Sequence, residues 1–320
     1  MRLELSHCHR PYNQSIEQKA ELEEVRQQTY TTRRPTVPAM EDRMFEVIPC
    51  LDHGFVRLID YMGDDSAIVQ AARVSYGKGT KMVRQDRGLL RYLIRHRHTT
   101  PLEMCELKLH IKLPMFVARQ WIRHRTANVN EISARYSVLD KEFYLPDPKD
   151  IALQSVSNRQ GRGDTLSSQQ AARALDILKR DALQAYDSYQ QLLGEEFGIA
   201  RELARMNLPV NWYTQWYWKV DLHNLLHFLS LRMDAHAQYE IRVFADAIGQ
   251  IVADWVPHVW EAFQDFRLGG TFLSKQEIEL LQMALKGEMP DFDDSGLSKR
   301  EWNTVCRKFG MQQHIIRKNQ

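Results

Sequence analysis

Residues 105–136 read CELKLHIKLPMFVARQWIRHRTANVNEISARY. Leu107, Leu109, Ile111 and Leu113 fall on one face of an extended chain, and Glu106, Lys108, His110 and Lys112 on the other. That alternation predicts a half-buried strand over Cys105–Leu113. Pro114 has no amide to donate and closes the strand. Met115–Ile122 then predicts a short helix whose end presents Arg123, His124 and Arg125.

Around this stretch the elements are unevenly spread. Phe55–Asp60 alternates and predicts a strand. Asp64 is an N-cap ahead of a helix over Ala67–Val74, and Leu89–Ile94 is a further helical run. Leu175, Leu178, Ala182, Tyr186, Tyr189 and Leu193 recur at three-and-four spacing and predict a long amphipathic helix starting near Ser167. A continuous helical region is expected from about Leu222 to Trp255. Residues 145–168, rich in Pro, Gly, Ser and Asn, predict a long loop. Strands come early and long helices late, without the strand–helix alternation of a doubly wound fold, so the class is mixed α/β (α+β). Three stretches follow: a polar arm over 1–42 with one short helix near Glu17–Gln28, a catalytic domain over 43–268, and a helical extension over 269–320. The extension carries capping boxes at Ser274…Glu277 and Ser298…Glu301.

Composition narrows the function. The chain has 320 residues, 43% hydrophobic and 26% charged, so it can bury a core. Its 43 Lys and Arg against 41 Asp and Glu leave a net charge of +2, which speaks against a nucleic-acid coat. No apolar run approaches 18 residues, and MRLELSHCHRPYNQ lacks the apolar core of a signal peptide. A cytoplasmic protein with no membrane partner is expected. Cys8, Cys50, Cys105 and Cys306 show no CxxC spacing and read as free thiols. Neither GxGxxG nor a P-loop is present.

Three polar clusters could carry chemistry. Arg119, Arg123, Arg125 and Arg135 stand against one acid, Glu131, among Gln120, Asn128, Asn130 and Ser133. Guanidinium groups grip phosphate through paired, charge-assisted hydrogen bonds, so a phosphorylated small molecule is the expected ligand, against a solvated basic face as the alternative. The histidines of RHRHTTP (Arg95–Pro101) lie beside arginines that repel a metal ion, and no carboxylate completes a site, so no metal is expected. In His223–Glu240, helical spacing puts His223, His227, Ser230 and Asp234 on one face and Arg232, His236 and Glu240 on the next stripe. Arg232 sits among Leu229, Leu231 and Met233. A partly buried guanidinium there needs either a ligand or a salt bridge to Asp234 or Glu240. Arg205, in ARMNLP, raises the same question. No nucleophile stands out, so a cofactor is expected to carry the difficult chemistry.

The run Arg123-His-Arg-x-x-Asn-x-Asn-Glu-x-Ser-x-Arg-Tyr136 closely resembles the signature of the flavin-dependent thymidylate synthases, RHRxxSxNExSxRY. Arg123, His124, Arg125, Asn130, Glu131, Ser133, Arg135 and Tyr136 match it; Asn128 replaces its first serine. HxTP at His98–Pro101, PMFVARQW at Pro114–Trp121, ARMNLP at Ala204–Pro209 and LRMDAHAQYEI at Leu231–Ile241 are similar to family segments in the same order, over roughly residues 45–265. The resemblance implies an α/β fold with a family-specific sheet and long helices. It implies a homotetramer with active sites shared between subunits. It also implies conversion of dUMP to dTMP, with methylenetetrahydrofolate as carbon donor, NADPH as reductant and reduced FAD delivering the hydride, without a cysteine nucleophile.

By the same resemblance, FAD contacts fall to His98, Thr100, Arg123, His124, Arg125, Glu131, Asp221, His223, His227 and His236. Nucleotide contacts fall to Gln120, Trp121, Ile122, Arg123, Glu131, Ile132, Ser133, Ala134, Arg135, Arg205 and Arg232. Arg232 is the implied catalytic residue, polarising the uracil. Asp221, His223 and His227 stand where a family pattern has Asn, Arg and Asn, and Met104 replaces the histidine after TPxE. Two alternatives stay open: a nucleotide- or RNA-binding protein without catalysis, and a relative that keeps FAD but has lost or changed its activity.

Overall fold

The computed structural model describes residues 15–74, 83–156 and 161–311. Cys8 and the terminal segments lie outside them. Helix α1 (Ile16–Gln27) and the short α2 (Pro38–Arg43) come first, then strands β1 (Val47–Cys50) and β2 (Gly54–Met62). Helices α3 (Asp65–Arg73) and α4 (Val83–His96) follow, with Asp64 capping α3 by accepting from the Ala67 amide at 2.8 Å. Strand β3 (Glu106–Pro114) runs into α5 (Met115–Trp121), and β4 is Asn128–Glu131. After the hairpin β5 (Ala152–Gln154) and β6 (Arg162–Thr165) come the long α6 (Ser168–Leu193) and the single turn α7 (Arg201–Ala204). Strand β7 (Tyr213–Asp221) leads into α8 (Leu222–Arg232), α9 (Tyr239–Trp255) and α10 (Pro257–Phe263).

Five strands form one antiparallel sheet in the order β1-β2-β3-β7-β4. The alternation in β3 determines its place. Leu107, Leu109, Ile111 and Leu113 are wholly buried, each side chain contributing on the order of 1.5–3 kcal/mol of apolar burial. The polar face finds cross-strand partners: Glu106 with Lys219 at 2.8 Å, Lys108 with Asp60 at 3.5 Å, and His110 with Gln215 at 3.0 Å. Lys112, nearly buried, pairs with Glu142. The main core joins the apolar sheet face to α5, α8 and α9, with Trp121 at its centre. Its indole stacks on Phe228 at 4.5 Å and meets Trp218 edge-on at 5.1 Å. A second cluster gathers Ala134, Leu139, Phe143, Tyr189, Ala204 and Trp212 against α6.

Residues 269–320 form a separate compact unit. Helices α11 (Lys275–Lys286) and α12 (Lys299–Lys308) enclose Leu280, Leu297, Trp302, Val305 and Cys306. Both predicted capping boxes are present, at Ser274/Glu277 and Ser298/Glu301.

Four expectations change. The helix expected over Leu222–Trp255 is interrupted between Arg232 and Tyr239. There the Asp234 carboxylate accepts from the His236 amide at 2.7 Å and the His236 ring at 2.9 Å, so a local side-chain turn replaces the helical ladder. His236 and Glu240 therefore do not continue a stripe with Arg232. Arg232 pairs with neither Asp234 nor Glu240 among the described residues. Glu240 instead accepts from Tyr144 at 3.0 Å and pairs with Arg162. The stretch 145–168 is not one loop, because it contains β5 and β6. Finally, β7 is a strand late in the chain, between the two central helical regions, and it pairs with both β3 and β4.

Candidate active site

Helix α5 ends with the Ile122 amide donating to Ala118 and the His124 amide donating to Trp121, at 3.0 and 2.9 Å. Burial of Trp121 fixes that end, so Arg123, His124 and Arg125 emerge at a set place before β4 begins. Opposite them lies α8, capped by Asp221, whose carboxylate accepts from the Asn224 amide at 3.0 Å and from its side-chain amide at 2.8 Å. Asp221 thus fastens the start of α8. Between these elements is a cavity of about 320 Å³, lined by Arg123, His124, Arg125, Asn224, His227 and Arg232 over Trp218 and Val220.

A second cavity of about 230 Å³ shares Asn224 and His227 with the first. His98, His223, Arg97 and Arg267 supply its polar groups; Leu93, Ile94, Leu102, Leu226 and Phe263 supply apolar wall. His98 stacks on Tyr92 at 5.5 Å. Burial, and then the charge of Arg97, lowers the pKa of the Arg267 guanidinium. Arg97 has φ 59°, the left-handed conformation that helix ends usually give to glycine, and the His98 amide reaches back to Leu93 at 2.9 Å. Strain of this kind gathers at functional sites.

The electrostatics of the first cavity centre on one contact. Arg232 Nε donates to His124 Nε2 at 3.1 Å. Burial, and then the charges of Arg232 and His227, push the His124 pKa down from 6.5 to about 4, so near neutral pH the imidazole is an uncharged acceptor. Burial also lowers the pKa of Arg232, which nonetheless stays charged. Among the described residues no carboxylate pairs with Arg232, Arg123 or Arg125. The cavity therefore carries uncompensated positive charge, suited to anionic ligands.

The remaining motif residues lie elsewhere. In the ladder, Asn128 stands opposite Lys219 and Glu131 opposite Trp216, so β4 carries the chain away from the Val220 end of β7. Trp216 and Val220 are four residues apart, about 13 Å along a strand. Glu131 accepts from Thr214 Oγ1 at 2.6 Å, and the Ile132 amide donates to Gln215 at 2.9 Å. Ser133 Oγ accepts from the Arg135 amide at 3.3 Å, Ala134 packs in the second cluster, and Arg135 pairs with Glu202 at 3.1 Å. Arg205 is exposed in the helical turn after α7, without an ion pair among the described residues. The structure thus makes two groups: Arg123–Arg125, His98, His223, His227 and Arg232 around α8, and Glu131–Arg135 with Arg205 beside α7.

Several predicted residues join neither cavity. Thr100 is exposed and lines neither. His236 is exposed and occupied with Asp234. The Trp121 side chain is core, whereas Ile122 beside it is exposed. Gln120 Oε1 is buried without a hydrogen-bond partner, as an acceptor awaiting a ligand or water would be. The sequence pattern does not single out Asn224 or Arg267, and it offers Arg97 only as part of the RHRHTTP cluster. Asn224 stands three residues after the N-cap aspartate of α8, a local signal that could have found it; Arg267 belongs to no motif.

Residues 57–258 match the family model described as Thymidylate synthase complementing protein. The chain is 62% identical over 290 residues to the flavin-dependent thymidylate synthase of Ruegeria pomeroyi, covering 90% of this chain and 96% of that one. It is 59% identical over 291 residues to that of Gluconobacter oxydans, covering 91% and 96%. Among solved structures it is similar to the UMP/dUMP methylase PolB from Streptomyces cacaoi bound with 5-Br UMP. That match has 35% identity and a TM-score of 0.61, over 67% of this chain and 95% of the other.

Proposed function

The chain belongs to the flavin-dependent thymidylate synthase family, and from that premise we propose how its own residues serve the conversion of dUMP to dTMP. FAD is the cofactor, methylenetetrahydrofolate and NADPH are the co-substrates, and bound FAD supplies the hydride. The two adjoining cavities fit such a cofactor. Their apolar wall suits a ring system, and Arg97, Arg123, Arg125 and Arg267 suit its phosphates. His98, His223, His227 and the Arg123–Arg125 run would hold it there.

The observation that carries the reading is the charge of Arg232 without a carboxylate to neutralise it. Uracil C5 has to become nucleophilic. A cysteine adding at C6 would achieve this, but Cys50, Cys105 and Cys306 are buried and line neither cavity. Burial pushes the Cys105 thiol up to about 12, far from a usable thiolate. Arg232 would instead stabilise the negative charge that develops on the pyrimidine. Among the described residues Ser133 Oγ is bonded only to the Arg135 amide, with no base to activate it, so it would serve as a hydrogen-bonding group. Glu131, Arg135 and Arg205 would bind nucleotide, with Gln120 offering its vacant acceptor.

We further infer a homotetramer with shared centres and assign catalysis to residues 43–268. The separation of Glu131–Arg135 and Arg205 from Arg232 supports this, since one centre holding both groups draws them from different subunits. The ligands are small molecules. Among the described residues no helix is long and apolar enough to cross a membrane.

The test is release of the C5 hydrogen from labelled dUMP, with FAD, NADPH and methylenetetrahydrofolate supplied. Release that requires all components supports the reading. A protein with flavin in its spectrum but no release refutes it.

A further inference from the structure

We propose that His124 is a positioning residue for Arg232: its Nε2 fixes the guanidinium in place while leaving the positive charge whole. This rests on Arg232 serving the nucleotide as argued above.

Among the described residues, no other hydrogen bond links the two elements that this contact joins. His124 belongs to the turn after α5, and Arg232 ends α8. The imidazole is set by packing, edge-on to Phe228 at 5.0 Å and to His227 at 6.0 Å. Phe228 is wholly buried and stacks on Trp121, so the ring rests on the main core. Phe228 and Arg232 are one turn apart on α8, which brings the guanidinium over the same face. Arg232 Nε then donates to His124 Nε2 at 3.1 Å.

The chemistry of the partner matters. Most buried arginines are held by carboxylates, which neutralise them. A carboxylate here would fix Arg232 equally well but cancel the charge the reaction needs. A neutral imidazole supplies a directional acceptor and no charge. Accepting at Nε2 places the ring proton on Nδ1. One of the five guanidinium N–H groups is engaged, and among the described residues the other four have no partner and stay available to a ligand. Burial, and then the charge of Arg232, keep the ring in this neutral form.

The experiment is a double-mutant cycle on the full chain with FAD bound: wild type, His124→Ala, Arg232→Ala and the double variant, with His124→Gln as rescue. Turnover and dUMP affinity are measured separately, and FAD occupancy is read from the flavin spectrum. His124→Ala should lower kcat by about 10²-fold, the scale of a misplaced catalytic group. At equal FAD occupancy the double variant should be within about twofold of Arg232→Ala, because a group whose effect on turnover runs through Arg232 has nothing left to lose once it is gone. His124→Gln retains an acceptor and should recover most of the loss. Losses that multiply, or a Gln variant as slow as Ala with FAD still bound, would overturn the proposal. The same cycle in dUMP affinity decides it independently of turnover, so an inactive wild type would defeat only the thymidylate reading.

Discussion

Mixing two inactive variants distinguishes a shared centre from a self-contained one. Arg232→Ala removes the cation from the group around α8. Arg135→Ala removes one from the group beyond β4, where its exposed pairing with Glu202 adds little to folding. The two groups lie toward different ends of β7, with Glu131 opposite Trp216 and the first cavity lined by Val220. Suppose each centre takes Arg232 from one subunit and Arg135 from another. In a randomly assembled equal mixture, each contribution is intact half the time, so about a quarter of the centres are whole. If each centre used both residues of one chain, none would be whole, because every chain carries a lesion. The assay is dTMP formation per bound FAD after co-expression under two purification tags. Each parent should fall to about 1% of wild type or below, and the mixture should reach about a quarter. A mixture no faster than its parents would refute the shared centre.

Three further outcomes are expected. Trp121→Ala, which empties the wholly buried site among Trp218, Phe228 and Phe244, should cost about 3–5 kcal/mol in denaturant unfolding; a loss under about 1 kcal/mol would show that the core does not depend on it. His110 and His124 both have pKa values pushed down from 6.5 to about 4, chiefly by burial. The unfolded chain takes up those protons first, so the stability they confer is whole above about pH 6.5 and is lost as pH falls toward 4; His110→Gln should flatten part of that decline in melting curves. Arg97→Gly removes the roughly 1–2 kcal/mol that a left-handed backbone costs a residue other than glycine, and with it a cavity cation; FAD affinity should fall, and unchanged affinity would remove Arg97 from the proposed cofactor site.

How much of this was legible in the sequence depended on how plainly burial alternates with charge. In β3 every apolar position is aliphatic and every facing one is charged or histidine, so the strand was readable. The equally buried β7 hides Trp216 and Trp218 among Gln215, Tyr217 and Lys219, and aromatic residues at every other polar position blur that contrast. Strand β1 is only four residues long and contains Pro49. The break after Arg232 carries no glycine or proline; it depends on the Asp234 side chain outcompeting the helix, which periodicity does not register. The RHR run and Arg232 lie in family-like segments and His227 on a face set by helical spacing, and all of them line one cavity. Asn224 and Arg267 reach the cavities through the packing of α8 and of the turn that follows α10, which no local pattern encodes. No pattern in the chain indicates that His124, not an acid, meets Arg232.

The most direct test compares wild type and Arg232→Ala in C5-hydrogen release from labelled dUMP, at equal FAD occupancy and with NADPH and methylenetetrahydrofolate present. We expect release by the wild type only when every component is supplied, and a rate about 10²–10³-fold lower for the variant. Near-normal release by Arg232→Ala would contradict the role given to that charge, and with it the mechanism built on it.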